Sequence, residues 1–159
     1  MADFSRLSKD WTEWSNWMRM TKVAVVGENG QDLAGFVSDD GSFYLRQDNG
    51  WWILDETDDR GHRYADTASF SNFELAEKYL VWRWTRTVTN APELGPELYA
   101  RGMNPDVVVR PTDNEWRVEL ESSAGTARLS EPAATIFSYL MTTPTSEIEQ
   151  RANQAVAPR

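Results

Sequence analysis

The sequence predicts an α+β fold: an antiparallel β-meander packed with helices, followed by a C-terminal β-hairpin and further helices. Three observations carry this. Asn29-Gly30, Asp40-Gly41 and Asn49-Gly50 punctuate the first third of the chain, and such dipeptides tolerate the positive φ that tight hairpin turns require. Before and after that stretch, apolar residues recur every three or four positions, the helical period. The resulting order is helix, four strands, helix, a strand-rich stretch and helices, which segregates the two element types rather than alternating them.

The first helix is expected over residues 4–20. Phe4, Leu7, Trp11, Trp14 and Met18 share one face that should meet the core, whereas Arg6, Lys9, Asp10, Glu13 and Asn16 fall elsewhere and should meet water. The meander then occupies 21–56, with strands at 21–27, 33–38, 43–47 and 51–56 around the three turns. The fourth strand is apolar on both sides, because Trp51 and Ile53 alternate with Trp52 and Leu54. Helices covering both faces of the sheet would explain that, as would an aromatic row kept for binding.

Residues 55–66 read as a charged loop that extends into a short strand near 64–67. A second helix spans 71–88, opened by Ser71-Asn72-Phe73-Glu74 in the pattern of a capping box, with Phe70 and Leu75 spaced as a hydrophobic staple. Phe73, Ala76, Leu80 and Trp84 form its apolar stripe toward Val88, and Tyr79, Trp82 and Arg83 spread beyond it. Residues 90–105 hold three prolines and two glycines, a loop with one helical turn at 97–101. Strand signals return at 107–110, 116–121 and 126–129. Ser130-Glu131-Pro132 then starts a helix, Ser as cap and Pro in the first turn. Ala133, Ile136, Phe137 and Leu140 line its buried face, Pro144 stops it, and 145–153 make a short polar helix. The reading is one domain over 1–159, with the C-terminal hairpin and helices at 106–153.

Composition narrows the function. The chain has no cysteine, one histidine, His62, and 25 acidic residues that bring its net charge to −9. It thus lacks, or nearly lacks, the side chains that most often do nucleophilic, acid–base and transition-metal work near neutral pH. The absence of thiols fits a reducing compartment, and the polar start Met1-Ala2-Asp3-Phe4 carries no signal-peptide pattern, so a cytoplasmic protein is expected. There is no run of about eighteen apolar residues, hence no membrane span. A pI near 4.6 argues against nucleic acid and favours a basic protein partner or plain solubility. Eight tryptophans supply large contact surfaces.

No motif for chemistry stands out. His62 has Asp58, Asp59 and Asp66 near it in sequence, but the spacing matches neither a zinc helix nor an EF-hand. Gly27, Gly30 and Gly35 do not form a dinucleotide fingerprint, and there is no Gly-x-Ser-x-Gly. No metal and no cofactor is therefore expected. Paired carboxylates such as Asp55/Glu56 or Glu119/Glu121 would suit a hydrolase, yet 25 acids produce such pairs by chance. What stands out is a concentration of residue types used at interfaces. Asp58, Asp59, Arg60 and His62 form a charged loop, and Tyr79, Trp82 and Arg83 form a helix surface; together they are the candidate partner-binding residues. Two other readings remain: a small-molecule or carbohydrate module with a Trp51 or Trp52 platform, and a carboxylate-based hydrolase.

The run Trp51-Trp52-Ile53-Leu54-Asp55-Glu56, then Arg60-Gly61, Arg63-Tyr64 and residues 73–80, leads from an aromatic strand through a charged turn into a helix. Farther on stand Arg128-Leu129-Ser130, Ala133-Ala134, Phe137-Ser138-Tyr139-Leu140-Met141 and Glu147-Ile148-Glu149. This pattern, over roughly residues 41–150, resembles a family of bacterial polymorphic-toxin immunity proteins, the one that includes the immunity factor for tuberculosis necrotizing toxin. The resemblance implies a non-enzymatic cytoplasmic antitoxin in a one-to-one complex with a secreted toxin domain. It also implies occlusion of the toxin's substrate site, with NAD glycohydrolysis as the toxin chemistry of the named relative. The matching positions are fold determinants, so no contact residue is carried over.

Overall fold

The computed structural model describes residues 2–156; Met1 and 157–159, the two ends of the predicted domain, lie outside the described residues. In chain order the elements are α1 (Ser5–Trp17), β1 (Ala24–Val26), β2 (Asp32–Val37), β3 (Ser42–Asp48), β4 (Trp51–Thr57) and β5 (Arg63–Phe70). There follow α2 (Phe73–Val88), a 3₁₀ turn (Pro92–Leu94), α3 (Pro96–Ala100), β6 (Val108–Pro111), β7 (Arg117–Ser122), β8 (Gly125–Ser130), α4 (Ala133–Leu140) and α5 (Thr145–Ala155). All eight strands join one antiparallel sheet in the order β1-β2-β3-β4-β5-β8-β7-β6. The α+β expectation holds, and the C-terminal strands extend the meander's own sheet. They do so through Ser69↔Arg128 and Phe70↔Ala127, where β8 returns beside β5.

The meander has five strands rather than four. The expected loop with a short strand near 64–67 is a full strand, β5, that runs on to Phe70; its first four residues are exposed, beyond the short stretch where β8 pairs with it. The turn before it has no Asn-Gly or Asp-Gly pair. Asp58 closes it instead, its Oδ1 accepting from the Arg60 and His62 amides while Gly61 takes φ +79°. At Asn49-Gly50, by contrast, both residues have positive φ (51° and 83°), as the dipeptide predicts for a two-residue hairpin.

All the helices lie on one face of the sheet. Ala34, Phe36, Leu45, Trp52, Leu54, Ala68, Phe70, Leu120, Ala127 and Leu129 alternate along the strands into one buried cluster with Trp11, Trp14, Leu80, Trp84 and Phe137. Ring contacts join the layers: Trp84 meets Trp11, Phe36 and Phe43, and Phe137 meets Phe70, Tyr79 and Trp82. The expectation of helices on both faces is therefore corrected. Ile53 is buried on the opposite, helix-free face, where its neighbours across the strands are Arg46 and Ser69 and the cover comes from side chains.

α1 ends at Trp17, three residues short of the expectation; Arg19 turns the chain with φ +61°, and Met18 is exposed rather than in the stripe. Asp10, expected in water, is fully buried. The reason is α5. Arg6, Asp10 and Trp14 form a line at four-residue spacing; Arg6 pairs with Glu149 at 3.6 Å and Trp14 Nε1 donates to Asn153 Oδ1 at 3.1 Å. A second helix thus covers the face that periodicity assigned to solvent.

Neither predicted cap is the one used. Asn72, not Ser71, caps α2, its Oδ1 accepting from the Leu75 amide at 2.9 Å. Ser71 Oγ instead accepts from the Thr126 amide, extending the β5–β8 seam. At α4, Ser130 ends β8, and the Glu131 carboxylate accepts from the Thr135 amide. Lys78, buried on α2, donates to the Met141 carbonyl at the end of α4 at 2.6 Å, a cation where that helix leaves carbonyls unpaired.

Candidate functional site

The seven predicted contact residues fall into two environments. Asp59, Arg60 and His62 are exposed at the β4–β5 turn, and half-buried Asp58 organises it. Hydrogen bonds from the His62 and Arg60 amides hold the Asp58 carboxyl below its ordinary range, and His62 stacks edge-on against exposed Tyr64 at 4.4 Å. Tyr79 and Trp82 are core residues, which corrects their assignment to a surface. Tyr79 packs between Phe70 and Phe137, and Trp82 Nε1 donates to the Leu94 carbonyl. The helical stripe is wider than the sequence period showed, because the sheet, α4 and the 90–105 segment all cover α2. Arg83 stands between the two groups. Its Nη2 reaches Glu56 Oε1 at 2.8 Å and its Nη1 reaches the Tyr79 hydroxyl, with about a third of its side chain exposed.

The helix-free sheet face carries a charged lattice that pattern reasoning missed. Asp55, on β4, accepts from Arg46 Nε (3.1 Å), Arg63 Nη2 (2.8 Å) and the Asp66 amide (2.7 Å). Arg63 also pairs with Asp32 at 2.7 Å and lies 4.4 Å over the Tyr44 ring. Burial pushes the Asp55 carboxyl upward, but the donors from Arg46, Asp66 and Arg63 together hold it below its ordinary range. Asp32, followed by Asp55, raises Arg63 in turn. On the far half of the face, Arg128 covers Trp51 at 3.9 Å and pairs with Glu119, while Arg117 pairs with Asp66. Strand alternation in β3, β4, β7 and β8 placed these residues on one face; only the strand order showed that the four strands share it.

Three loops converge at one end of this sheet. Ser42↔Thr57 and Thr57↔Arg63 bring the 38–41 and 58–62 turns together. Arg117↔Ser130 and the Arg117–Asp66 pair bring the 112–116 loop to the same end. These loops carry Asp39, Asp40, Asp58, Asp59, Asp113 and Glu115 against one arginine, Arg60. A polar cleft of about 360 Å³, lined by Asp66, Ser69, Asn114, Arg117 and Arg128, lies between β5 and the 112–116 loop. Beside it Trp116 is 76% exposed, and it was read only as the start of a strand.

The other predicted chemistries find little here. Trp51 lies under Arg128 and Trp52 is buried, so neither ring is an open platform. A groove of about 780 Å³ between the starts of α1 and α2 is lined by Arg6, Gln47, Trp52, Phe73, Glu74 and Glu77. Burial raises Glu77 there, and its 3.2 Å pair with Arg6 opposes the rise. Asp10 is pushed up to about 8 by burial and the Glu149 carboxylate, but it is sealed from any substrate. Among the described residues no group of three or more His, Asp or Glu is placed to hold a metal ion, and no helix is long and apolar enough to cross a membrane.

Known proteins give the context for this surface. No curated protein matches the chain in sequence. Among solved structures, Rv3902c from M. tuberculosis is similar in fold, with a TM-score of 0.63 at 15% identity over 92% of this chain and 91% of that one. The sequence model of immunity protein 61 (Imm61) matches residues 17–155, which takes in the whole sheet, its loops and all helices after α1. The chain belongs to the immunity protein 61 family.

Proposed function

We propose that this protein is a non-enzymatic antitoxin that binds a cognate secreted toxin domain one-to-one in the cytoplasm and occludes its active site. The family match over residues 17–155 is the observation that carries this reading. The geometry is consistent with it. The acid-rich loop end and the charged sheet face offer a broad polar surface, with Asp58, Asp59, Arg60 and His62 at its rim; Arg83 lies on the helix side of the sheet, paired with Glu56. His62, the single histidine, is engaged with Tyr64 and has no paired nucleophile, which favours binding over catalysis. NAD glycohydrolysis as the toxin chemistry rests on the sequence resemblance to the family that includes the immunity factor for tuberculosis necrotizing toxin.

Co-expression with any toxin domain encoded beside this gene tests the reading. The expected result is rescued growth, a co-purifying one-to-one complex and preserved cellular NAD. Rescue with no NAD loss in the unprotected control would keep the immunity role and replace the toxin chemistry. Failure of the two proteins to associate would overturn the proposal.

A further inference from the structure

Trp116 is the most exposed large apolar side chain among those described, at 76%, and makes no ring contact with the rest of the described residues. Its loop is nevertheless held firmly. Thr112 Oγ1 accepts from the Asn114 amide and lies within hydrogen-bond distance of the Asn114 and Arg117 carbonyls, Asn114 Oδ1 accepts from the Trp116 amide, and the Asn114 carbonyl accepts from the Arg117 amide. Arg117, next in sequence, is turned inward and bound to Asp66, so it does not neutralise the loop. Asp113 and Glu115 therefore flank the indole as exposed carboxylates, with no ion pair among the described residues. A hydrophobic side chain left in water on a rigid loop loses little conformational freedom on docking and gains its full burial there. Trp is also among the residues that dominate interface energies. The surrounding loops add four more carboxylates at the same end of the sheet, against Arg60 and the 3.9 Å pair of Lys22 with Asp39. Such a field selects and steers a cationic partner.

We propose that Trp116 is the anchor of the toxin interface, entering an apolar pocket with a cationic rim on the cognate toxin domain. This rests on the antitoxin reading above and assigns it a contact that neither the family match nor the motifs identify. The acidic loop end makes the first encounter, and indole burial holds the complex.

The test is titration of the wild-type protein and two variants against the purified toxin domain encoded beside this gene, at low and physiological salt. Trp116→Ala is expected to weaken binding about 30-fold or more through faster dissociation. Its unfolding midpoint should stay unchanged because the side chain is exposed. D113K/E115K is expected to slow association about 10-fold and to flatten its salt dependence. Tyr99→Ala, at another exposed aromatic on α3, should bind as wild type. Wild-type binding with Trp116→Ala within twofold of it would overturn the anchor and leave the antitoxin reading standing. No binding by the wild-type protein would overturn both. A self-association broken by Trp116→Ala, with toxin affinity unchanged, would assign the indole to a second copy of this chain and also overturn the proposal.

Discussion

Asp55 accepts hydrogen bonds from two arginines and a backbone amide while almost wholly buried, so its charge and theirs are mutually dependent. Asp55→Asn keeps the shape but takes away the carboxylate that Arg46 pairs with and leaves Arg63 with Asp32. The expected loss is about 3 kcal/mol, read as a lower midpoint in urea unfolding. Asp10 works in the opposite sense. Both its oxygens are buried with no donor among the described residues, so Asp10 beside Glu149 is favourable only while Asp10 holds a proton. With its folded pKa raised from 3.8 to about 8, the folded state binds a proton that the unfolded chain has already released. Stability from this group is greatest below pH 4 and falls as the pH climbs toward 8. Asp10→Asn removes that slope and is expected to stabilise the protein at pH 8 by on the order of a few kcal/mol, with little gain at pH 4. Thermal unfolding across that range decides it, and an unchanged slope would refute the assignment.

Helix α2 shows how an element's boundary depends on what lies beyond it. Ser71 and Asn72 are both good caps, and Glu74 three residues past Ser71 completes a capping box on paper. The sheet takes Ser71 for its seam with Thr126, which leaves Asn72 to cap the helix and to donate to the Ala124 carbonyl. Asn72→Ala is expected to cost about 1 kcal/mol or somewhat more, whereas Ser71→Ala frees an amide that water reaches and should stay within about 0.5 kcal/mol. Chemical denaturation of the two variants distinguishes the register seen here from the capping box. Strand β5 is the complementary case. Its buried half, Ala68–Phe70, carries a strand pattern, but its outer half is polar because nothing pairs with it on the far side.

In the whole molecule, Asp55 and Asp10 act at opposite ends of the pH range. Asp55, with a lowered folded pKa, contributes stability above about pH 4 that is lost as acid protonates it. Asp10 removes stability between pH 4 and 8. An unfolding profile from pH 3 to 9 reads both contributions: that of Asp55 is expected to be lost toward the acid end and that of Asp10 to fall between pH 4 and 8. The charge distribution has a separate, directional meaning. Six carboxylates gather on the three loops at one end of the sheet, although they lie far apart along the chain, and the exposed indole of Trp116 stands among them.

The linear chain already held what depends on local periodicity and turn chemistry. The Asn-Gly and Asp-Gly turns set the hairpins, the aromatic stripe set α1 and α2, and the absence of cysteine left packing as the means of cohesion. The resemblance carried by 51–64 and 128–149 pointed to the immunity family. Where two elements compete for one residue, only the tertiary structure decided the outcome. It buried Tyr79 and Trp82 beneath α4 and the 90–105 segment, sealed Asp10 under α5, and left one sheet face without helices. It also set the Trp116 loop at the same end of the sheet as the Asp58 turn, because β8 returns next to β5 and brings β7 and its loop with it. Periodicity states which face of an element is apolar; strand order and helix packing state what covers that face, and that decides which residues remain to meet a partner.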